Sequence, residues 1–315
     1  MRPYGVATQR LKGEILTMKQ YTADKIRNVA LAGHSSAGKT SLAEMLLFKS
    51  GATDRLGKIA DGNTVCDFDP EEIKRQVSVS SAIAPFDWNG VKINLLDTPG
   101  AFDFSGAVME ALRAADAAIL VCSAKDGITV GFEKAWKYCE DRNMPRFVYI
   151  SKVDEDNSDY NATFNALREK YGNKIAPVVI PIWNSAHKVT GIIDVLNKRA
   201  YEMQNLKRVE IDVPADKVSV IEEFNDALKE AVAETDEALM DRFFEGGDFT
   251  YREMITGLHQ GVKDLSLFPV LCGSGLTCLG SLMLMDNIID LLPNPVQGNY
   301  HKATTADGKT EEFVV

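Results

Sequence analysis

An α/β fold, a mostly parallel sheet with helices on both faces, is what the 315 residues predict. Three observations predict it. Short apolar runs of strand length alternate with stretches that repeat apolar residues at helical spacing. A glycine-rich turn stands between the first such run and the first helical stretch. One pair of runs flanks Asn89-Gly90, a strong hairpin signal, so an antiparallel strand joins the otherwise parallel sheet.

The elements follow in order. Residues 25–32 form a short apolar run ending before Gly33, and beyond Gly38 the sequence TSLAEMLLF has helical spacing. Residues 78–88 and 91–97 read as the two strands of the hairpin. Strand-like runs then recur at 117–122, 146–151, 176–182 and 267–273, separated by helical stretches near 105–115, 128–142, 158–171 and 216–263. Such alternation places ligands at the carboxyl ends of the strands. The gap between Ile182 and Leu271 is too long for one crossover, so roughly 183–265 is expected as an inserted subdomain. Within it, 216–245 and 250–263 read as two consecutive acidic helices. After Leu291 the sequence LLPNPVQGNY signals a domain exit, so 18–295 is expected as the main domain and 296–315 as a linker or the start of another. Residues 1–17 are poorly patterned and read as an extension, vector-derived or from an upstream start.

Composition narrows the function. With 45% apolar and 25% charged residues the chain can bury a core. A formal charge of −10 argues against non-specific DNA binding, which needs clustered Lys and Arg to neutralise phosphates. Cys66, Cys122, Cys139, Cys272 and Cys278 form no C-x-x-C pair and read as reduced core thiols. No apolar run reaches membrane-spanning length. A cytoplasmic monomer with no membrane contact is expected, and the Asn161-Ala162-Thr163 sequon then has no meaning.

Four segments carry chemistry. GHSSAGKT, Gly33 to Thr40, fits the phosphate-binding loop G-x-x-x-x-G-K-[ST] in full and lies between a strand and a helix, which makes the fold a P-loop NTPase. Its backbone N–H groups and the helix N-terminus would face phosphates, Lys39 would reach the β and γ oxygens, and the Thr40 hydroxyl would ligate Mg²⁺. His34 reads as a structural loop residue rather than a catalyst. In the second segment, LLDTPG, Asp97 ends a strand, where it can hold Mg²⁺ through water, and the Gly100 N–H can sense a γ-phosphate. D-x-x-G is weak alone, but lying 58 residues past Lys39 and after a hairpin makes it persuasive. In the third, YISKVD, a carboxylate at Asp154 can accept bonds from guanine N1–H and N2–H₂, which adenine lacks, while the Lys152 stem lies over the ring. A Lys-x-Asp after a strand is by itself more often a helix-cap turn; its place after the third parallel strand favours base reading over an ATP-using enzyme. CGSG, Cys272 to Gly275, can offer backbone N–H groups to the base carbonyl.

These residues resemble the translational GTPases, and within them elongation factor G and its paralogues, over about 18–300. DFDPEEIKRQVSV, Asp67 to Val79, looks like the family's first switch. AETDEALMDRFFEG looks like part of its inserted subdomain, and PVLCGSG followed by IIDLLPNP like its C-terminal boundary. The resemblance implies GTP and GDP as ligands, Mg²⁺ as cofactor, the ribosome as partner of the full-length protein, and hydrolysis of GTP. It also implies further domains beyond this chain. It leaves open whether the whole protein translocates, recycles or protects ribosomes.

The expected nucleotide contacts are Gly33, His34, Ser35, Ser36, Ala37, Gly38, Lys39, Thr40, Ser41, Ser151, Lys152, Asp154, Ser274, Gly275 and Leu276. The metal set is Thr40, Ser78 and Asp97, and Lys39, Ser78 and Gly100 act in catalysis. Ser78 stands where the family's switch threonine binds Mg²⁺. Three departures stand out. Ser151 replaces the first Asn of Asn-Lys-x-Asp and is expected to lose a bond tying that loop to guanine and the P-loop. Ser36 replaces a P-loop aspartate. Ala101 replaces the histidine that orients the attacking water, which implies slow hydrolysis and favours, as the second reading, a guanine-nucleotide switch that hydrolyses poorly.

Overall fold

The computed structural model describes residues 19–184, 188–297, 301–305 and 307–313. The expected extension at 1–17 lies outside them. In chain order come β1 (Ile26–Gly33), α1 (Lys39–Ser50), α2 (Pro70–Arg75), β2 (Ala82–Trp88), β3 (Val91–Asp97), α3 (Ser105–Ala114), β4 (Ala117–Ser123), α4 (Val130–Asp141), β5 (Arg146–Ser151) and α5 (Tyr160–Tyr171). Then follow β6 (Ile175–Pro177), β7 (Val179–Trp183), β8 (Val189–Asp194), β9 (Arg199–Gln204), β10 (Lys207–Ile211), α6 (Val218–Ala233), α7 (Glu237–Phe244), α8 (Tyr251–Lys263), β11 (Phe268–Cys272) and α9 (Ser281–Leu291). A hairpin of β12 (His301–Thr304) and β13 (Thr310–Phe313) comes last.

The central sheet runs β2-β3-β1-β4-β5-β11-β6. Only β2 is antiparallel, paired with β3 across Asn89-Gly90, whose φ values of 46° and 81° fit the tight turn. Every residue of β4 and β5 is buried, as strands covered on both faces must be. On the helical side, α1 packs against β1, β2, β3 and α9, while α3 and α4 pack against β1 and α4 also against β4. The carboxyl ends of β3, β1, β4 and β5 therefore line one edge of the sheet, and the segments that follow β1, β3 and β5 open there.

Two expectations change. Residues 176–182 form two strands, not one. β6 extends the central sheet beside β11, the chain turns at Val178, and β7 opens a second, antiparallel sheet ordered β10-β9-β8-β7. Val178 serves both neighbours, donating its N–H to Val270 O at 2.9 Å and accepting from Val195 N at 3.0 Å. The second change lies within 183–265, which holds three strands of that sheet as well as helices. Residues 216–245, read as one helix, are α6 and α7, broken where Asp236 caps α7 through Ala238 N and Leu239 N. The β9–β10 turn escaped notice because its residues are Asn205 and Leu206, at φ 49° and 60°. Leucine there costs roughly 1 kcal/mol or more, which the flanking strand pairing helps to offset.

All five cysteines are buried and free, as expected. Among the described residues no helix is long and apolar enough to cross a membrane.

Candidate nucleotide-binding site

The glycine loop joins β1 to α1 through backbone that few residues tolerate. Gly33 has φ 152°, Ser36 63° and Gly38 90°. A Cβ at Gly33 would lie 2.3 Å from Val121 O, so the neighbouring strand itself excludes a side chain there. Gly33→Ala should lower unfolding free energy by about 3 kcal/mol through overpacking and strain together. Chemical denaturation of the wild-type and variant proteins checks this, and a loss under about 1 kcal/mol would contradict it.

Lys39, the first residue of α1, turns its ammonium back over the loop and donates to Gly33 O at 3.1 Å and His34 O at 2.8 Å. Burial pushes its pKa down to about 8, against the pull of the Asp97 and Asp67 carboxylates. Gly100, after β3, presses on the same loop. A Cβ there would fall 2.5 Å from Ser35 N and 2.6 Å from Lys39 Nζ, so only glycine lets the two turns approach.

Beside Lys39 stands a chain of oxygens. Thr40 Oγ1 donates to Asp97 Oδ2 at 2.7 Å and lies 3.2 Å from Ser78 Oγ, and the Ser78 hydroxyl donates to Asp67 Oδ1 at 2.7 Å. Asp97 is buried, its Oδ1 has no hydrogen-bond partner, and desolvation lifts its pKa to about 7. Burial raises Asp67 as well. Two buried carboxylates and two hydroxyls with an unsatisfied oxygen make a donor set suited to a hard divalent cation.

Ser78 reaches this position because the segment before β2 is held from within. Asp69 and Glu72 form a capping box around α2, and the buried Glu72 carboxylate also accepts from Val79 N at 2.8 Å and Ser80 N at 3.0 Å. Residues 78–81 were expected in the strand, but these bonds hold Val79 and Ser80 away from the ladder, and β2 begins at Ala82.

On the opposite side, Ser151 ends β5 and its hydroxyl lies 2.6 Å from Ala37 O and 3.1 Å from Cys122 O. The expected loss of the tie to the P-loop is therefore corrected: serine keeps that bond. Its single hydrogen serves one carbonyl at a time, so no donor remains for a base. Lys152 adopts φ 59°, and its Cε comes within 4.0 Å of where a Gly38 Cβ would be. Its ammonium faces Glu155 Oε1 at 3.6 Å. Asp154, half-buried, makes no hydrogen bond or ion pair among the described residues.

After β11, the Ser274 Oγ accepts from Leu276 N at 3.2 Å and Thr277 N at 3.1 Å. This takes up the Leu276 amide, and Gly275 N–H is the one that Ser274 leaves over. Gly275 packs on α1, where a Cβ would meet Ser41 O at 2.8 Å.

One cleft of about 260 Å³ collects these parts. Its walls include Ser35, Ser36, Gly38, Lys39, Thr40, Ser41, Ser78, Gly100 and Lys152. Gly33, Ala37, Ser151 and Asp97 stand behind the wall as supports, and Asp154, Ser274, Gly275 and Leu276 are not part of it. His34 turns away from the cleft. Its ring tilts on Phe102 at 5.6 Å between centroids and lodges against Gly131, where a Cβ would lie 2.6 Å from Nδ1. Only its carbonyl faces Lys39. Ala101 lines a separate apolar recess with Phe102, Val108 and Tyr138.

Sequence reasoning missed Asp67, Ile59 and Gln76, which also line the cleft. Asp67 lies in the segment matched to the first switch, but no spacing rule relates it to Lys39. Gln76 closes α2 at φ 56°, a conformation usually given to glycine or asparagine, so it carried no turn signal.

The model of the elongation factor Tu GTP binding domain matches residues 24–294. Among solved structures, the chain is similar to a protein from Thermus thermophilus at 37% identity and a TM-score of 0.83, over 87% of this chain. It spans 41% of that relative's length. With a family match over most of its length and a phosphate-loop cleft in place, the chain belongs to the elongation factor Tu GTP-binding domain family, the translational GTPases.

Proposed function

We propose that this chain is the GTP-binding domain, 18–295 with its insertion, of an elongation factor G-like protein that acts on the ribosome in the cytoplasm. One observation carries the reading: the glycine turn, the segment around Ser78, Gly100 and Lys152 open onto one cleft. A nucleotide lying in it meets phosphate donors at one end and Lys152, two residues from Asp154, at the other.

In this reading, the loop amides and Lys39 take the phosphates, Gly100 N–H meets the γ-phosphate, and Asp154 selects guanine beside the Lys152 stem. Thr40, Ser78 and Asp97 would hold Mg²⁺, which would supply positive charge against the phosphate oxygens. The unsatisfied Asp97 Oδ1 fits that role. The proposed reaction is in-line attack of water on the γ-phosphorus, breaking its bond to the β–γ bridging oxygen and releasing GDP and inorganic phosphate.

Water needs orientation, and the methyl of Ala101 offers no hydrogen bond, which supports a slow enzyme and a switch-like use of nucleotide. Isothermal titration with GDP, GTP and ATP in Mg²⁺ tests the site. GDP and GTP should bind, and ATP should bind at least about a hundredfold more weakly. Phosphate release by the full-length protein should be slow and change little on adding ribosomes. Equal affinity for ATP, or strong ribosomal stimulation, would overturn the corresponding half.

A further inference from the structure

We infer that Asp67 is a positioning residue of this site: by accepting the hydrogen bond of the Ser78 hydroxyl, it turns the serine oxygen's lone pairs toward Thr40 and the cleft. The inference rests on the nucleotide-site reading and adds to it a residue that acts through Ser78.

A serine hydroxyl carries one hydrogen and two lone pairs, and its side chain lacks the second Cβ substituent that makes threonine stiff at χ1. Left alone, Ser78 could rotate among three staggered positions or direct its hydrogen at the cleft. A hydrogen pointing into a cation site would repel the ion. At 2.7 Å, Asp67 Oδ1 is a charge-assisted acceptor that fixes both choices. The remaining lone pairs then face Thr40 Oγ1, 3.2 Å away, whose own hydrogen is committed to Asp97 at 2.7 Å. Two hydroxyl hydrogens thus point outward to two carboxylates, and two oxygens with free lone pairs stand side by side between them.

Asp67 is itself set in place. It is buried, its backbone N–H lies 3.3 Å from Thr64 Oγ1, and Thr64 Oγ1 lies 3.4 Å from its Oδ2. Among the described residues no cation makes an ion pair with it; Lys39 acts only at longer range. The Ser78 hydroxyl is therefore its closest hydrogen-bond donor. A tether that only closed the loop could use Thr64 alone, and would not reach across 11 residues to a hydroxyl in the cleft.

The test is a double-mutant cycle on Asp67→Asn and Ser78→Ala, with Ser78→Thr added in the Asp67→Asn background. The readouts are affinity for GDP and for a non-hydrolysable GTP analogue across a Mg²⁺ series, with thermal unfolding of each nucleotide-free variant as a check on folding. Asp67→Asn should weaken the analogue about tenfold and raise the Mg²⁺ needed for half-saturation, leaving GDP within about twofold. In the Ser78→Ala background it should add little. Ser78→Thr should restore most of the lost affinity, because the methyl takes over part of the rotamer restriction. Analogue affinity within about twofold of wild type in a folded Asp67→Asn protein, or full additivity with Ser78→Ala, would overturn the inference. Failure of the wild-type protein to bind any guanine nucleotide would instead overturn the site reading beneath it.

Discussion

Replacing Lys39 with alanine should weaken GDP and GTP binding by about a hundredfold or more while leaving the fold intact. The ammonium sits where β1 meets α1, held by two carbonyls of its own loop, and those contacts are what phosphate oxygens would replace. Charge-assisted bonds contribute about 1.5–3 kcal/mol each, and two such bonds account for the expected loss. Isothermal titration measures it; affinity within about fivefold of wild type would show that the loop amides alone capture the polyanion.

The same residue sets a pH dependence. Burial leaves the free site with a Lys39 pKa of about 8, and phosphates favour the charged form. Below pH 8 the lysine is already charged. Above it, binding must take up a proton, so affinity should fall as pH rises through that value, and the fall should be absent in Lys39→Ala. Folding responds in the opposite sense. Between about 8 and 10.5 the unfolded chain holds a proton that the native chain lacks, so this residue's burial cost shrinks with rising pH.

The second large effect is expected at Asp154. Asp154→Asn should weaken GDP by about a hundredfold, because in the proposed site an amide would replace the carboxylate expected to accept from guanine N1–H and N2–H₂, and its NH₂ would oppose theirs. Xanthine carries a carbonyl where guanine has that amine, so the variant should gain on xanthosine diphosphate. Competition of the two diphosphates against a fluorescent nucleotide decides the matter. An unchanged preference for guanine would place base reading elsewhere, with the amide that Ser274 leaves over at Gly275 as the next candidate.

Much of this was legible before any coordinate. β5 runs from Arg146 to Ser151 as read, and the hairpin turns at Asn89-Gly90. Both are local signals, an apolar run of strand length and a turn dipeptide with its own conformational preference. The antiparallel sheet was illegible for the converse reason. β9 and β10 are mostly half-buried or exposed, carry Arg199, Glu202, Lys207, Arg208 and Glu210, and are joined by Asn205-Leu206, so neither apolarity nor turn chemistry marked them. Ser151 taught a similar lesson: the identity of the side chain implied a lost contact, but the loop backbone comes close enough that a hydroxyl bridges it at 2.6 Å.

By itself the order of residues determined the alternation of strand and helix, the glycine turn with its lysine, and the carboxylates at strand ends, because each depends on neighbours within a few positions. Tertiary structure alone decided which supports complete the site. Glu72 reaches seven and eight residues along to pin Val79 and Ser80, Asp67 reaches eleven to Ser78, and Thr40 reaches across two elements to Asp97. Thr40 and Asp97 meet because the parallel strands β1 and β3 set their carboxyl ends side by side. That proximity belongs to the packed sheet, which brings together residues that no rule of spacing relates.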